Sequence, residues 1–195
     1  MIAIDPLIPR IGEALTALEI GWAVAGGWAI DLFLGRVTRP HADVDLVVWR
    51  DQHQQLREAL PGWRFSIADA GQLRPWLPAT VLAPPLHEIH ARSLGDRSAV
   101  EFLLNDRRDG MWLYRRNPDV RLPLPNAVLD AGASPFLAPE IVLLYKSKQP
   151  RTTDEADFHN TLPHLSTNAR KWLAEALSLT SADHPWIATL RTAHI

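Results

Sequence analysis

Hydrophobic and polar positions change period several times along this chain, and each change marks an element. From Ile8 to Ile20 the apolar residues Ile8, Ile11, Leu15 and Leu18 recur three or four apart, the stripe of an amphipathic helix packed on a sheet. Trp22 to Ala25 is a short apolar run, followed by Gly26-Gly27, an amphipathic run from Trp28 to Leu34, a basic loop with Arg36, Arg39 and His41, and then Asp43-Val44-Asp45-Leu46-Val47-Val48. That order predicts strand, tight turn, helix, loop, strand. Asp51 stands as the N-cap of a helix through about Leu60, which Pro61-Gly62 ends, and Trp63 to Ala68 returns as a strand.

Between Asp69 and Pro85, Gly71, Pro75, Pro78, Pro84 and Pro85 forbid a long helix or central strand, so an irregular segment near the site mouth is expected there. His87 to Ser93 and Ser98 to Asn105 both alternate and are joined by Leu94-Gly95-Asp96-Arg97, which reads as a β-hairpin. If Ser93 pairs with Ser98, His90 lies opposite Glu101, with Glu88 a diagonal neighbour on the same face. Met111 to Arg115 predicts a further strand, and the prolines from Pro118 to Pro125 an extended crossing, with Arg115 and Arg116 at the surface. Pro139 opens a helix to about Lys148 that Pro150 stops. Asp154 to Leu165, Thr167 to Leu179 and Trp186 to Thr192 are helical in pattern, with Ser166 or Thr167 and the stretch Ser181 to Asp183 as caps.

The strand opening at Asp43 carries the chemistry. Side chains two apart share a face, so Asp43 and Asp45 project together while Val44 and Leu46 face the other way. Crowded carboxylates raise each other's pKa unless a cation sits between them, and Mg²⁺, with its preference for carboxylate and phosphate oxygens, is the natural counter-charge. The glycines permit close backbone approach, and the amides at the start of the next helix offer an anion site. A lone Gly-Gly is usually a turn and a lone Asp-x-Asp a solvated strand end. Both in this order across one helix suggest a nucleoside triphosphate site. Glu101, between Val100 and Phe102 in a core-like strand, is costly to bury without a partner. It reads as a third carboxylate, with Glu88 its substitute if the hairpin register slips and a solvent-facing residue the plainer alternative.

Composition narrows the class. A net charge of −2 disfavours a sequence-independent nucleic-acid binder. The absence of cysteine excludes disulfides and thiolate metal sites. No signal pattern or membrane-length apolar run appears, so a cytoplasmic protein is expected. The eight histidines include no His-x₃-His on one helix face, and His87 and His90 straddle a strand, which argues against zinc. Trp22, Trp28, Trp49 and Trp63 read as core, whereas Trp76 and Trp112 stand where an acceptor or base would stack.

The runs Gly26-Gly27-Trp28-Ala29-Ile30-Asp31, Gly35-Arg36-Val37-Thr38-Arg39 and His41-Ala42-Asp43-Val44-Asp45-Leu46 closely resemble the aminoglycoside adenylyltransferase-like branch of the nucleotidyltransferase superfamily, which includes DNA polymerase beta. The segment from Leu137 to Lys146, followed by Asp154-Glu155-Ala156-Asp157-Phe158, looks like the second half of members of that branch. The resemblance implies an α+β fold: a mixed β-sheet flanked by helices, forming a catalytic domain over residues 1–137, with a small helical subdomain over 138–195. It implies transfer of a nucleoside monophosphate, AMP by expectation, from a triphosphate such as ATP to a hydroxyl of a small molecule of aminoglycoside type, with pyrophosphate released. Gly26 and Gly27 would hold phosphates, Asp43 and Asp45 Mg²⁺, and the third acidic position falls on Glu101, as ligand, general base or both. Arg36, Arg39, His41 and Lys146 are candidate triphosphate contacts, each also readable as an ordinary surface charge or loop donor. Two other functions compete: modification of a protein or RNA, and a nucleotide-binding module without turnover. The paired aspartates and third carboxylate argue against the module.

Overall fold

The computed structural model describes residues 2–130, 132 and 134–192, so the outermost ends of the expected two-part division, Met1 and 193–195, lie outside it. The elements run α1 (Leu7–Ala17), β1 (Trp22–Val24), α2 (Gly26–Leu34), β2 (Asp45–Trp49), a 3₁₀ turn (Arg50–Gln55) continued by α3 (Leu56–Ala59), β3 (Trp63–Asp69), β4 (Gln72–Pro75), β5 (Glu88–Ser93), β6 (Ala99–Arg108), β7 (Met111–Leu113), β8 (Arg121–Pro123), α4 (Leu124–Ala127), β9 (Val128–Asp130) and β10 (Pro135–Leu137). Four helices follow: α5 (Pro139–Lys146), α6 (Thr152–Thr161), α7 (Thr167–Thr180) and α8 (Trp186–Thr192). The fold is α+β. One mixed sheet has the order β4-β3-β5-β6-β2-β1-β10-β9, in which β2 with β6 and β1 with β10 are parallel and the other neighbours antiparallel.

Period-2 alternation decides what lies inside. Leu46 and Val48 of β2, Val100, Phe102 and Leu104 of β6 and Ile89 and Ala91 of β5 are buried, joining Ile8, Ile11 and Leu15 of α1 in one cluster. Burying each large side chain contributes about 1.5–3 kcal/mol. The alternate residues Asp45, Val47, Glu101, Leu103, Glu88 and His90 face the other way, and the site is built there. α2 packs on α5, α6 and β10, which brings the C-terminal helices beside it. Ser166 caps α7, its hydroxyl accepting the Ala169 N–H at 3.1 Å. Among the described residues no helix is long and apolar enough to cross a membrane.

Four local expectations need correction. Asp51 is not an N-cap: the chain enters a 3₁₀ turn whose N-cap is Trp49, and Asp51 pairs with Arg107 at 3.0 Å. The segment after Asp69 is not wholly irregular, because Ala70 and Gly71, both at positive φ, turn the chain into β4, which pairs with β3 at the sheet edge. Trp76 is not a stacking platform at a site mouth. It is 3% exposed, edge-on to Phe65, with Arg57 4.4 Å over its ring. Trp112 is fully buried and donates its indole N–H to Asn105 Oδ1 at 2.6 Å. Arg50 secures the chain between Trp76 and Glu88: it donates to Leu82 O (3.1 Å), Leu86 O (2.6 Å) and His87 Nδ1 (2.8 Å) while pairing with Asp106. His53 Nε2 accepts the Leu82 N–H at 3.0 Å.

Candidate active site

Parallel pairing of β2 with β6 sets Asp45 directly beside Glu101 in register, and the Glu101 N–H donates to Val44 O at 2.9 Å. Asp43 lies in the exposed loop just before β2 rather than on the strand, yet close enough for its charge to act on both Asp45 and Glu101. Burial first, and then the charges of Asp43 and Glu101, push the Asp45 carboxyl up to about 7. The start of α2 completes this corner. Ala25 N–H donates to Asp45 O at 2.9 Å, and Gly26 sits at φ +59°, where a Cβ would collide with Asp45 Oδ2. A glycine is therefore demanded at position 26 by the carboxylate itself as well as by the backbone angle.

The hairpin register is the expected one, with His90 opposite Glu101 and Ser93 N–H bonded to Ser98 O at 2.9 Å. His90 bridges two carboxylates, Nε2 to Glu88 Oε1 at 2.5 Å and Nδ1 to Glu101 Oε1 at 3.3 Å. Burial raises the Glu101 pKa; His90 opposes this, while Glu88 and Asp43 add to it. Glu88, His90 and Glu101 are the described residues whose potential ligand atoms cluster tightly enough, within 4.8 Å, to hold a metal ion. Asp43, Asp45 and Glu101 are an oxygen-only donor set of the kind a hard divalent ion takes, but their ligand atoms do not gather within that distance of one another in this structure.

The expected cations divide. Lys146 borders the corner, its Nζ 2.7 Å from Asp154 Oδ1 and 3.0 Å from Asp157 Oδ2. Although burial opposes it, hydrogen bonds from Arg151 and Lys146 hold Asp154 well below the usual carboxylate range. Arg39 is committed to Asp157 through Nε (3.2 Å) and Nη2 (3.0 Å), joining the basic loop to α6. His41 is tied to Asp31, a fully buried carboxylate that also accepts from the Thr38 N–H and hydroxyl, at 2.5, 3.0 and 2.6 Å respectively. A side chain at Gly27 would run into His41 and Arg39, so close packing of this loop explains that glycine. Arg36 is exposed.

A cleft of ≈ 420 Å³ opens from this corner, within the range of small-ligand sites. Gly26, Asp45 and Lys146 line it, together with residues the sequence reading left out: His87, Asn105, Arg115, Arg116, Lys148 and Arg151. His41 and Asp43 face a neighbouring depression, and Gly27, Arg39 and Glu101 are not among the residues that line the cleft. The alternation that nominated Glu101 also points Leu103 and Asn105 onto its face, so Asn105 was within reach. Arg115 and Arg116 are exposed as expected, and β7 folds back along β6 through the two-residue turn Asp109-Gly110, both at positive φ, to carry them to the cleft, a hairpin signal that the sequence reading passed over. Burial, with Arg115 and Arg50 beside it, pushes the His87 imidazole down to about 4, so it is neutral at physiological pH.

Residues 7–77 match a family model described as aminoglycoside-2''-adenylyltransferase. A comparison with curated protein sequences gives no match. Among solved structures, ANT(2")-Ia in complex with adenylyl-2"-tobramycin is 20% identical with a TM-score of 0.62, the likeness covering 90% of this chain and 97% of that one. The lincosamide antibiotic adenylyltransferase LnuA, lincomycin-bound, is 17% identical with a TM-score of 0.57, covering 81% and 96%. An antigenic nucleotidyltransferase-like protein from Paracoccidioides brasiliensis is 21% identical with a TM-score of 0.53, covering 97% and 92%. At these identities the structures speak for the fold. The fold is therefore similar to that of these nucleotidyltransferases, and the matched segment, residues 7–77, spans α1 and the β1-α2-β2 unit that carries Gly26 and Asp45. Among nucleotidyltransferases the resemblance is to the aminoglycoside adenylyltransferase-like branch.

Proposed function

We propose that the chain transfers AMP from ATP to a hydroxyl of a small antibiotic-like molecule with Mg²⁺ bound at Asp43, Asp45 and Glu101. The observation that carries this reading is the register of Asp45 with Glu101 beside Gly26 at the first turn of α2. Mg²⁺ would supply charge neutralisation for the triphosphate and the departing pyrophosphate. The Gly26 turn and the positive end of α2 hold phosphate oxygens, with Lys146 adding positive charge from the opposite wall. Glu101 takes the proton of the acceptor hydroxyl as its oxygen bonds to the α-phosphorus and the bond to the β-phosphate oxygen breaks. Glu101 also has the surroundings a base needs: burial and neighbouring carboxylates favour its protonated form, and His90 fixes its position.

In this reading residues 1–137 form the catalytic domain and 138–195 a helical subdomain that lends Lys146 to the site, and the enzyme works in the cytoplasm, where ATP is supplied. The acceptor is taken as antibiotic-like because the family model and the two antibiotic-modifying structures point there. The test is incubation with labelled triphosphates, Mg²⁺ and a panel of aminoglycosides and lincosamides. Transfer of label to one of these acceptors supports the reading, and label on protein or RNA with none on any small molecule would replace it.

A further inference from the structure

We propose that Arg115 and Arg116 form the platform on which the base of the nucleotide stacks, at the end of the cleft remote from the carboxylates. This rests on the reading of the cleft as a nucleotide site. The cleft floor is the site face of β2 and β6, and from Asp45 past Val47 and Leu103 to the level of Asn105 it runs four residues, about 13 Å at the usual rise of a strand. Val47 and Leu103 make its middle apolar, and Leu137 and Val142 line the cleft beside them. That stretch offers nothing to a phosphate chain and suits a nucleoside. With phosphates held at Asp45 and Gly26, the part of the nucleotide that reaches the far end is the base.

The cations that line the cleft differ in their partners. Lys146 and Arg151, at the α5 and α6 side, are already paired with Asp154. Among the described residues Arg115 and Arg116 make no ion pair with a carboxylate. Each instead lies over Tyr145, with guanidinium carbons 5.7 and 5.6 Å from its ring centroid, and Arg116 Nη1 donates to the Tyr114 hydroxyl at 2.8 Å. The support beneath them is fixed. Tyr114 and Tyr145 pack edge-on at 5.1 Å, the Tyr145 hydroxyl reaches Asn105 Oδ1 at 3.5 Å, and Trp112 donates to the same oxygen. Arg116 lies over Tyr114 as well as Tyr145, whereas Arg115 lies over Tyr145 alone, and its exposed guanidinium can take a second flat partner, for which a purine is the right kind.

The experiment measures binding of two probes, AMP and inorganic tripolyphosphate, by calorimetry in the presence of Mg²⁺. The proteins are the wild type, Arg115→Ala, Arg116→Ala, the double alanine variant, and the Arg115→Lys/Arg116→Lys variant, which keeps the charge and loses the plane. Both arginines are exposed, and matching thermal melts establish that the variants are folded. The double alanine and double lysine variants are expected to bind AMP roughly ten- to a hundredfold more weakly, with tripolyphosphate affinity unchanged. Equal losses for both probes, or full rescue of AMP binding by lysine, would make these residues simple phosphate-attracting charges and overturn the proposal. Unchanged AMP binding in every variant would overturn it too. A wild type that binds neither probe would instead remove the nucleotide site on which the proposal stands.

Discussion

Replacing Asp45 by asparagine removes a carboxylate whose ionisation the fold opposes, and the size of the effect follows from its surroundings. Each tenfold change in proton affinity is worth about 1.4 kcal/mol, so a carboxyl carried from just below 4 when unfolded to about 7 in the folded chain costs about 4 kcal/mol once ionised. Residual contact with water trims that to about 2–4 kcal/mol. The sign runs against the usual aspartate. Between those two pH values the folded chain retains a proton that the unfolded chain releases, so stability falls as pH rises through the window and the penalty is complete above 7. Asp45→Asn carries no such penalty. In metal-free buffer with EDTA it should melt close to wild type near pH 4 and about 5–15 °C above it at pH 8, given the usual scaling for a chain of this size. Mg²⁺ with nucleotide should then stabilise the wild type and leave the variant unmoved. A melting difference that is the same at pH 4 and pH 8, or a variant less stable than wild type at pH 8, would refute the reasoning.

Gly26→Ala should abolish nucleotide binding measured by calorimetry and cost about 1–3 kcal/mol in urea unfolding, because its Cβ meets Asp45 Oδ2 at a left-handed backbone angle. Asp157→Ala should cost about 3–5 kcal/mol in the same unfolding assay, since it strips a shared partner from Arg39 and Lys146 inside the helical packing. Glu101→Gln should keep AMP binding yet lower kcat by about 10²–10⁴-fold if Glu101 is the base; a Mg²⁺ titration of rate reports any loss of ligand function separately.

What the sequence made legible was local and periodic. α1, the β1-α2-β2 unit and the β5-β6 hairpin followed from apolar spacing and turn residues, and the hairpin register placed His90 against Glu101 before any coordinates. What it hid was long-range. The return of β7 along β6 is announced by Asp109-Gly110, a two-residue hairpin turn that went unread, whereas nothing near Arg39 announces a carboxylate 118 residues away on α6. Trp76 misled because proline-rich flanks imply an open loop, whereas a hydrogen bond donated by Arg50 and one accepted by His53 fold that loop inward against β3. Asp51 misled because its neighbours form a 3₁₀ turn rather than the helix whose cap it resembled.

The central claim is that Asp43 and Asp45 at the Gly26 turn are the working end of a nucleotidyltransferase. The most direct measurement is release of labelled pyrophosphate from γ-labelled ATP, with Mg²⁺ and an aminoglycoside or lincosamide panel, by wild type, Asp43→Asn and Asp45→Asn. The account predicts acceptor-dependent release by the wild type, lost on omitting Mg²⁺ and reduced at least about 10²-fold in each variant. Transfer at the wild-type rate by a folded Asp45→Asn protein would contradict it.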